Sequence, residues 1–371
     1  MRNSRPIILF PLLCFLSSTI SILCEPNTLV CNEKEKHALL RFKKALSDPG
    51  NRLSSWSVNQ DCCRWEAVRC NNVTGRVVEL HLGNPYDGFD LEFYRKFKLG
   101  GEISPALLEL EFLSYLNLSW NDFGGIPIPS FLGSMGSLRY LDLSYAGFGG
   151  LVPHQLGNLS TLRHLDLGDN SGLLYVENLG WISHLAFLKY LGMNGVDLHR
   201  EVHWLESVSM LPSLSELHLS ECELDSNMTS SLGTISEVHF TALSKLKVLW
   251  ISGTSLSFHV NSSIPTSGSG RGFLSGIVDT APNWFWKFAS YIVWIDLSNN
   301  QISGDLSQVV LKNTFIDLSS NCFSGRLPRL SPNVRILNIA KFILGTDFPF
   351  HVQKMNGRSK LEVLDVGLCG A

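Results

Sequence analysis

Apolar positions along this chain fall into one short pattern that keeps returning. “LSYLNLSWN” (Leu113 to Asn121), “LRYLDLSYA” (Leu138 to Ala146) and “LRHLDLGDN” (Leu162 to Asn170) share the template L-x-x-L-x-L-x-x-N. “LKYLGMNGV” from Leu188, “LSELHLSEC” from Leu214 and “LKVLWISGT” from Leu246 follow it with substitutions, as do “IVWIDLSNN” from Ile292, “VRILNIAKF” from Val334 and “LEVLDVGLC” from Leu361. “FIDLSSN” from Phe315 keeps the later half. The alternation L-x-L predicts a short strand whose leucines enter a core while the side chains between them face solvent. The Asn predicts a turn, and its amide can bond backbone groups of neighbouring coils. Asn121, Asn170, Asn300 and Asn321 hold that place, Cys222 substitutes for it, and Ala146, Val196, Thr254 and Phe342 depart from it.

Spacing turns the motif into an architecture. Leu116 to Leu141 is 25 residues, Leu141 to Leu165 is 24, and Leu165 to Leu191 and Leu191 to Leu217 are 26 each. A period of roughly 20 to 30 residues predicts a solenoid, in which each coil buries its apolar face against the next and the ends need caps. The step then lengthens to 32 from Leu217 to Leu249 and to 46 from Leu249 to Ile295. That last interval contains “NSSIPTSGSGRGFLSG” from Asn261, whose small and polar composition predicts a flexible loop and no further coil.

Upstream of the array, Leu39, Leu40, Phe42 and Leu46 lie on one face at helical spacing, and Trp56 and Trp65 are placed to close the apolar end of the first coil. Before them, Arg2 and Arg5 precede an apolar stretch from Pro6 to Leu23, the pattern of a secretory signal removed after Cys24 or Ser21, with Cys24 favoured because polar sequence starts at Glu25. A retained anchor is the competing reading, and no later segment is apolar enough to span a bilayer. Export agrees with cysteine usage, since Cys31, Cys62, Cys63 and Cys70 cluster whereas Cys222, Cys322 and Cys369 are scattered. Four cysteines allow three pairings, and joining the vicinal Cys62 and Cys63 would strain the ring. Of the two that remain, Cys31 with Cys62 and Cys63 with Cys70 is the expected one. Asn72, Asn117, Asn158, Asn227 and Asn261 each begin an Asn-x-Ser/Thr glycan acceptor.

Composition narrows the function. Of the 371 residues 44% are hydrophobic and only 17% charged, so the chain can bury a large core. A formal net charge of −3, without long basic runs, gives no footprint for nucleic acid.

Between the strands recur “GGEISPALLEL” (Gly100), “GGIPIPSFLGSM” (Gly124) and “GGLVPHQLGNLS” (Gly149), with shorter forms at Ser303 and Ser324. Together with the segment “EKHALLRFKKALSDPGNRLSSWSVNQDCCRWEAVRCNNVTGRVVELHL” from Glu35, these resemble the plant leucine-rich-repeat receptor-like proteins, and most nearly the receptors for fungal xylanase. Ala67 stands where that family has Gly. The resemblance implies an α/β fold, a right-handed leucine-rich-repeat solenoid of the curved, plant-specific type with a helical, disulfide-bonded N-terminal cap. Expected boundaries are a signal peptide over 1–24, the cap over 25–76 and repeats over 77–371, irregular at 255–290 and 341–357.

The same resemblance implies an ectodomain in defence or developmental signalling. It would bind an extracellular protein, peptide or glycan and act through leucine-rich-repeat receptor kinases at the outer face of the plasma membrane. Family members continue through further repeats, a second cysteine cap, one membrane span and a short tail, so a chain ending at Ala371 reads as lacking the anchor. Two alternatives are a secreted inhibitor of a microbial cell-wall hydrolase, similar to the polygalacturonase inhibitors, and a truncated product without function.

Catalytic motifs are absent: there is no H-E-x-x-H, P-loop or G-x-S-x-G elbow, and the eleven His fall singly. No metal or cofactor is expected, and His37, His164 and His218 read as surface residues. The candidate binding surface is the concave face beside the core leucines. One column holds Tyr115, Tyr140, His164 and Tyr190, and the next holds Asn117, Asp142, Asp166 and Gly192, with Trp250 and Trp294 further along. Rings with polar tips above carboxylates suit a carbohydrate or a peptide by stacking and hydrogen bonding.

Overall fold

Every template repeat becomes one turn of a coil, and its L-x-L core becomes one strand of a continuous sheet. The computed structural model describes residues 30–85, 91–201, 203–224, 242–254, 281, 283–325, 328–340, 343–344 and 363–365. The expected signal segment, Asn227, Asn261 and most of the two irregular stretches lie outside these residues.

The main sheet has twelve strands in chain order. They are β1 (Val68–Cys70), β2 (Val77–His81), β3 (Tyr115–Asn117), β4 (Tyr140–Asp142), β5 (His164–Asp166) and β6 (Tyr190–Gly192), followed by β7 (Glu216–His218), β8 (Val248–Trp250), β9 (Trp294–Asp296), β10 (Phe315–Asp317), β11 (Ile336–Asn338) and β12 (Val363–Asp365). β1 is antiparallel to β2, and every later pair is parallel. Register follows the template: Leu80, Leu116, Leu141, Leu165, Leu191, Leu217 and Leu249 stand opposite one another in turn. All are buried in one core that runs from Cys31 to Ile339.

The asparagines act as expected. Asn170 Nδ2 donates to Leu167 O in its own coil and to Leu143 O in the preceding one, while its Oδ1 accepts from Ala146 N and Phe148 N of that preceding coil. Asn121, Asn300 and Asn321 likewise reach back, to Leu82 O, Ile251 O and Leu297 O. This backward reach explains how Ala146 and Thr254 are tolerated. Each lacks the amide, but the Asn of the following coil satisfies its backbone N–H. At Cys222 the thiol donates to Met193 O instead, at 3.0 Å.

The long interval after Leu249 holds no further coil of the main sheet. Leu249 pairs directly with Ile295, and the helix Asn283–Ala289 buries Phe285, Trp286 and Ala289 on the way back to β9. On the far side of the solenoid, the Gly-rich half-repeats form short second sheets, as where Gly150–Leu151 pairs with Leu174–Tyr175.

The cap begins with helix α1 (Glu33–Ala45), whose N-cap Asn32 accepts from Lys34 N and Glu35 N. Leu39 and Phe42 are fully buried, with Leu40 and Leu46 partly so, and Trp56 stacks on Trp65 at 5.4 Å. Glu35 is buried outright and accepts from Val77 N (2.8 Å) and Arg76 Nη1 (3.2 Å), tying α1 to β2. Cys31 is bonded to Cys62 and Cys63 to Cys70, with Cα separations of 5.5 and 5.4 Å. Arg52 joins cap to solenoid by donating to Leu82 O, Gly83 O, Phe97 O and Asn121 Oδ1.

Candidate functional site

Strand alternation turns Tyr115, Tyr140, His164 and Tyr190 outward at one register position and Asn117, Asp142, Asp166 and Gly192 at the next. Because the strands are one coil apart, the four rings lie face against face. Centroids are 4.2 Å apart for Tyr115–Tyr140, 4.0 Å for Tyr140–His164 and 4.1 Å for His164–Tyr190. Three rings outside that column extend the stack. His81 covers Tyr115 at 4.4 Å, and beyond Tyr190 the ladder shifts one column to His218 (4.9 Å) and Trp250 (4.6 Å). Seven rings on seven successive strands thus form one ladder. Its inner faces are turned to each other, so the middle of the ladder offers a ligand ring edges and polar tips, not faces for stacking.

This placement corrects one expectation. His218 is no surface residue: it is 9% exposed, with Nε2 buried and unpartnered. His37 is exposed and His164 half-buried. Trp250 and Trp294 do not share a column, because Trp250 pairs with Asp296 whereas Trp294 pairs with Val248 and stacks on Phe315 at 5.3 Å.

Beside the rings, carboxyls are held by hydroxyls and backbone. Tyr190 Oη donates to Asp166 Oδ2 at 2.9 Å, and Gly168 N donates to Asp166 Oδ1. Asp142 Oδ1 accepts from Ser144 N and Oγ, and Tyr140 Oη lies 3.4 Å from its Oδ2. Gly192 makes room for this arrangement, since a Cβ there would stand 2.5 Å from Asp166 Oδ1. Burial, reinforced by the nearby Asp142 charge, pushes Asp166 up to about 6. Burial also raises Asp142, against the pull of its Ser144 bonds. Burial holds His164 and His218 down to about 4, so both are neutral near pH 6. The Tyr140 and Tyr190 phenols are raised by burial and by the carboxyls beside them.

A second ring pair escaped the sequence reading. Trp120 and Tyr145 precede the rung position of their coils, stack at 3.9 Å and both have positive φ (56° and 50°). Other coils place Asp169, Gly195, Glu221, Gly253, Asn299 or Ser320 there, none of them a bulky ring. The signal was present in the position before the Asn, where an aromatic residue is costly to the turn.

Of the glycan acceptors, Asn72 and Asn158 are exposed. Asn117 lies in β3 with its Oδ1 accepting from Ser119 N and Oγ. For a metal, Asp197, His199 and Glu223 bring ligand atoms within 4.8 Å of one another, but His199 Nδ1 is already bonded to Asp197 at 2.6 Å. Among the described residues no helix is long and apolar enough to cross a membrane.

Comparison with known proteins agrees with this architecture. Residues 32–71 match the leucine rich repeat N-terminal domain, and 112–134 and 137–159 match the leucine rich repeat. The chain is 36% identical over 304 residues to Receptor-like protein EIX1 of Solanum lycopersicum, a match covering 80% of this chain and 27% of that protein. Among solved structures, the ectodomain of the Arabidopsis receptor kinase HAESA, in complex with an extended IDA peptide hormone, superposes with a TM-score of 0.62 at 22% identity, over 91% of this chain and 50% of that one. A plant ice-binding protein superposes with a TM-score of 0.59 at 22% identity, over 92% and 96%. The fold alone therefore does not decide what is bound. Cap, repeats and relatives together place the chain among the plant leucine-rich-repeat receptor-like proteins, and it spans about a quarter of the length of those it matches.

Proposed function

We propose that this chain recognises an extracellular ligand on the ring ladder of its concave face and passes the signal to partner receptor kinases. The observation that carries this reading is the ladder itself. Seven rings on successive strands, flanked by partly desolvated carboxyls, stand outside the leucine core on the outward face of the strands, where all but His218 are partly exposed. The cap disulfides and the relatives support placement outside the cell.

The test uses the purified chain as bait for apoplastic extracts and for a panel of receptor-kinase ectodomains, with Tyr140→Ala/Tyr190→Ala as the control. Capture of an extracellular component by the wild type and its loss in the variant is the expected result. Equal capture by both would overturn it. Inhibition of fungal polygalacturonases by the wild type would instead favour the hydrolase-inhibitor reading.

A further inference from the structure

One charged feature of this face lacks a partner. Arg139, Arg163 and Lys189 immediately precede Tyr140, His164 and Tyr190, and all three are exposed. Backbone bonds fix them in one row. Arg163 N and His164 N both donate to Arg139 O, at 2.8 and 3.1 Å, and Lys189 N and Tyr190 N donate to Arg163 O at the same two distances. Some exposed cations of the described residues pair with carboxylates, as Lys34 does with Glu111 and Arg69 with Glu79, while others such as Lys247 and Arg335 do not. None of the three in the row takes part in such a pair. Like charges placed opposite on neighbouring strands destabilise a sheet. A partner carrying negative charge would relieve that repulsion and be steered by it.

The row has a counterpart across the rings. Over three successive coils the face begins with a cation and continues with a ring edge, and over two of them it ends with a carboxyl, Asp142 or Asp166. A uniformly anionic polymer would gain from the first stripe and be repelled by the last. A peptide carries both kinds of group: acidic side chains for the cations, and backbone N–H donors for the carboxyls. Spacing selects its conformation. Neighbouring coils are about 4.8 Å apart, so Arg139 and Lys189 stand about 9.6 Å apart along the solenoid. A β-strand repeats a side every two residues, about 6.7 Å, which matches neither one coil nor two. A polyproline II helix repeats a side every three residues, about 9.3 Å, and leaves its N–H groups free to donate.

Building on the concave face as the ligand surface, we propose that it seats an acidic peptide in the polyproline II form. The peptide lies along the solenoid axis, with carboxylates three residues apart on Arg139 and Lys189 and backbone N–H groups turned to Asp142 and Asp166.

A random peptide library displayed against the purified chain tests this. Enriched sequences are expected to carry Asp or Glu at i and i+3. Their affinity should fall about tenfold or more in Arg139→Gln/Arg163→Gln/Lys189→Gln and decline with salt, while Arg163→Lys keeps most of it. Failure to select any binder, binders without paired acids, or binders indifferent to the triple variant would overturn the proposal. So would a linear oligouronate that binds more tightly than every selected peptide. Binders lost in Tyr140→Ala/Tyr190→Ala but kept in the triple variant would leave the concave face as the ligand surface and remove only the ligand class. Binders indifferent to both would remove both.

Discussion

The coils carrying β3 to β6 and those carrying β8 to β11 share a strand and a turn but differ in nearly everything between. In the first set the steps are 25, 24 and 26 residues, in the second 46, 21 and 21. In the first the outward rings run unbroken, whereas in the second the stack is the pair Trp294–Phe315, with Trp294 43% exposed. Yet register is equally regular in both, Leu249 facing Ile295 just as Leu141 faces Leu165. A solenoid asks of each coil only that it match its neighbour. Inward leucines and the backward-reaching Asn fix that match, so the return path is free to vary and the outward positions are free to specialise.

The largest effects should come from the shared parts. Leu165→Asp sets a carboxylate in a position with no exposure at all, at a cost of roughly 3–5 kcal/mol, and is expected to abolish secretion of folded protein. Secretion at the wild-type level would show that the register is wrong. Next, Asn170→Ala orphans Leu143 O, Ala146 N and Phe148 N and should cost about 3 kcal/mol or more by urea denaturation. Asn300→Ala removes the equivalent bonds to Ile251 O and Thr254 N. Because these bonds span the 46-residue step, this variant should unfold in two separable transitions, whereas Asn170→Ala unfolds in one. Identical single transitions would erase the difference between the two regions.

Much of this was legible in the sequence. The template fixes strand, register and the core leucines, and the spacing of cap residues and cysteines forecasts α1 and its surroundings. What could not be read was how far the ladder runs. His81, His218 and Trp250 join it from the neighbouring column, a diagonal contact that depends on side-chain direction and not on template position. The direct pairing of Leu249 with Ile295, by contrast, was implied by reading the long interval as a loop without a further coil.

Smaller effects test the site's internal geometry. Gly192→Ala drives a Cβ against Asp166 and should break the Tyr190 hydroxyl bond. Stability should change by about 1 kcal/mol or less, with secretion intact and binding reduced. Unchanged binding would mean that Asp166 need not be held in place.

Titration should give the smallest shifts, of opposite sign for the two groups. His164 and His218 are held at about 4 against an ordinary 6.5, so between these values the unfolded chain binds more protons. Their stability contribution is therefore lost as pH falls through that window, and His164→Gln/His218→Gln should gain on the wild type from pH 6.5 down to 4. Asp166 is raised to about 6 from 3.8, so the folded chain holds the extra proton and is penalised as pH rises. Asp166→Asn should gain on the wild type from about pH 4 to 6. Denaturation midpoints across pH would show both trends, and parallel curves would refute the burial assigned to these groups.

The most direct test sets the two regions against each other in one binding experiment. Single alanine substitutions at Tyr115, Tyr140 and Tyr190 are compared with those at Trp294 and Phe315, using any ligand captured by the wild-type chain and checking each variant by circular dichroism. Loss of affinity confined to the three tyrosines, with all five variants folded, is the expected result. Affinity that survives the tyrosine changes but falls at Trp294 and Phe315 would contradict the assignment of ligand recognition to the ladder.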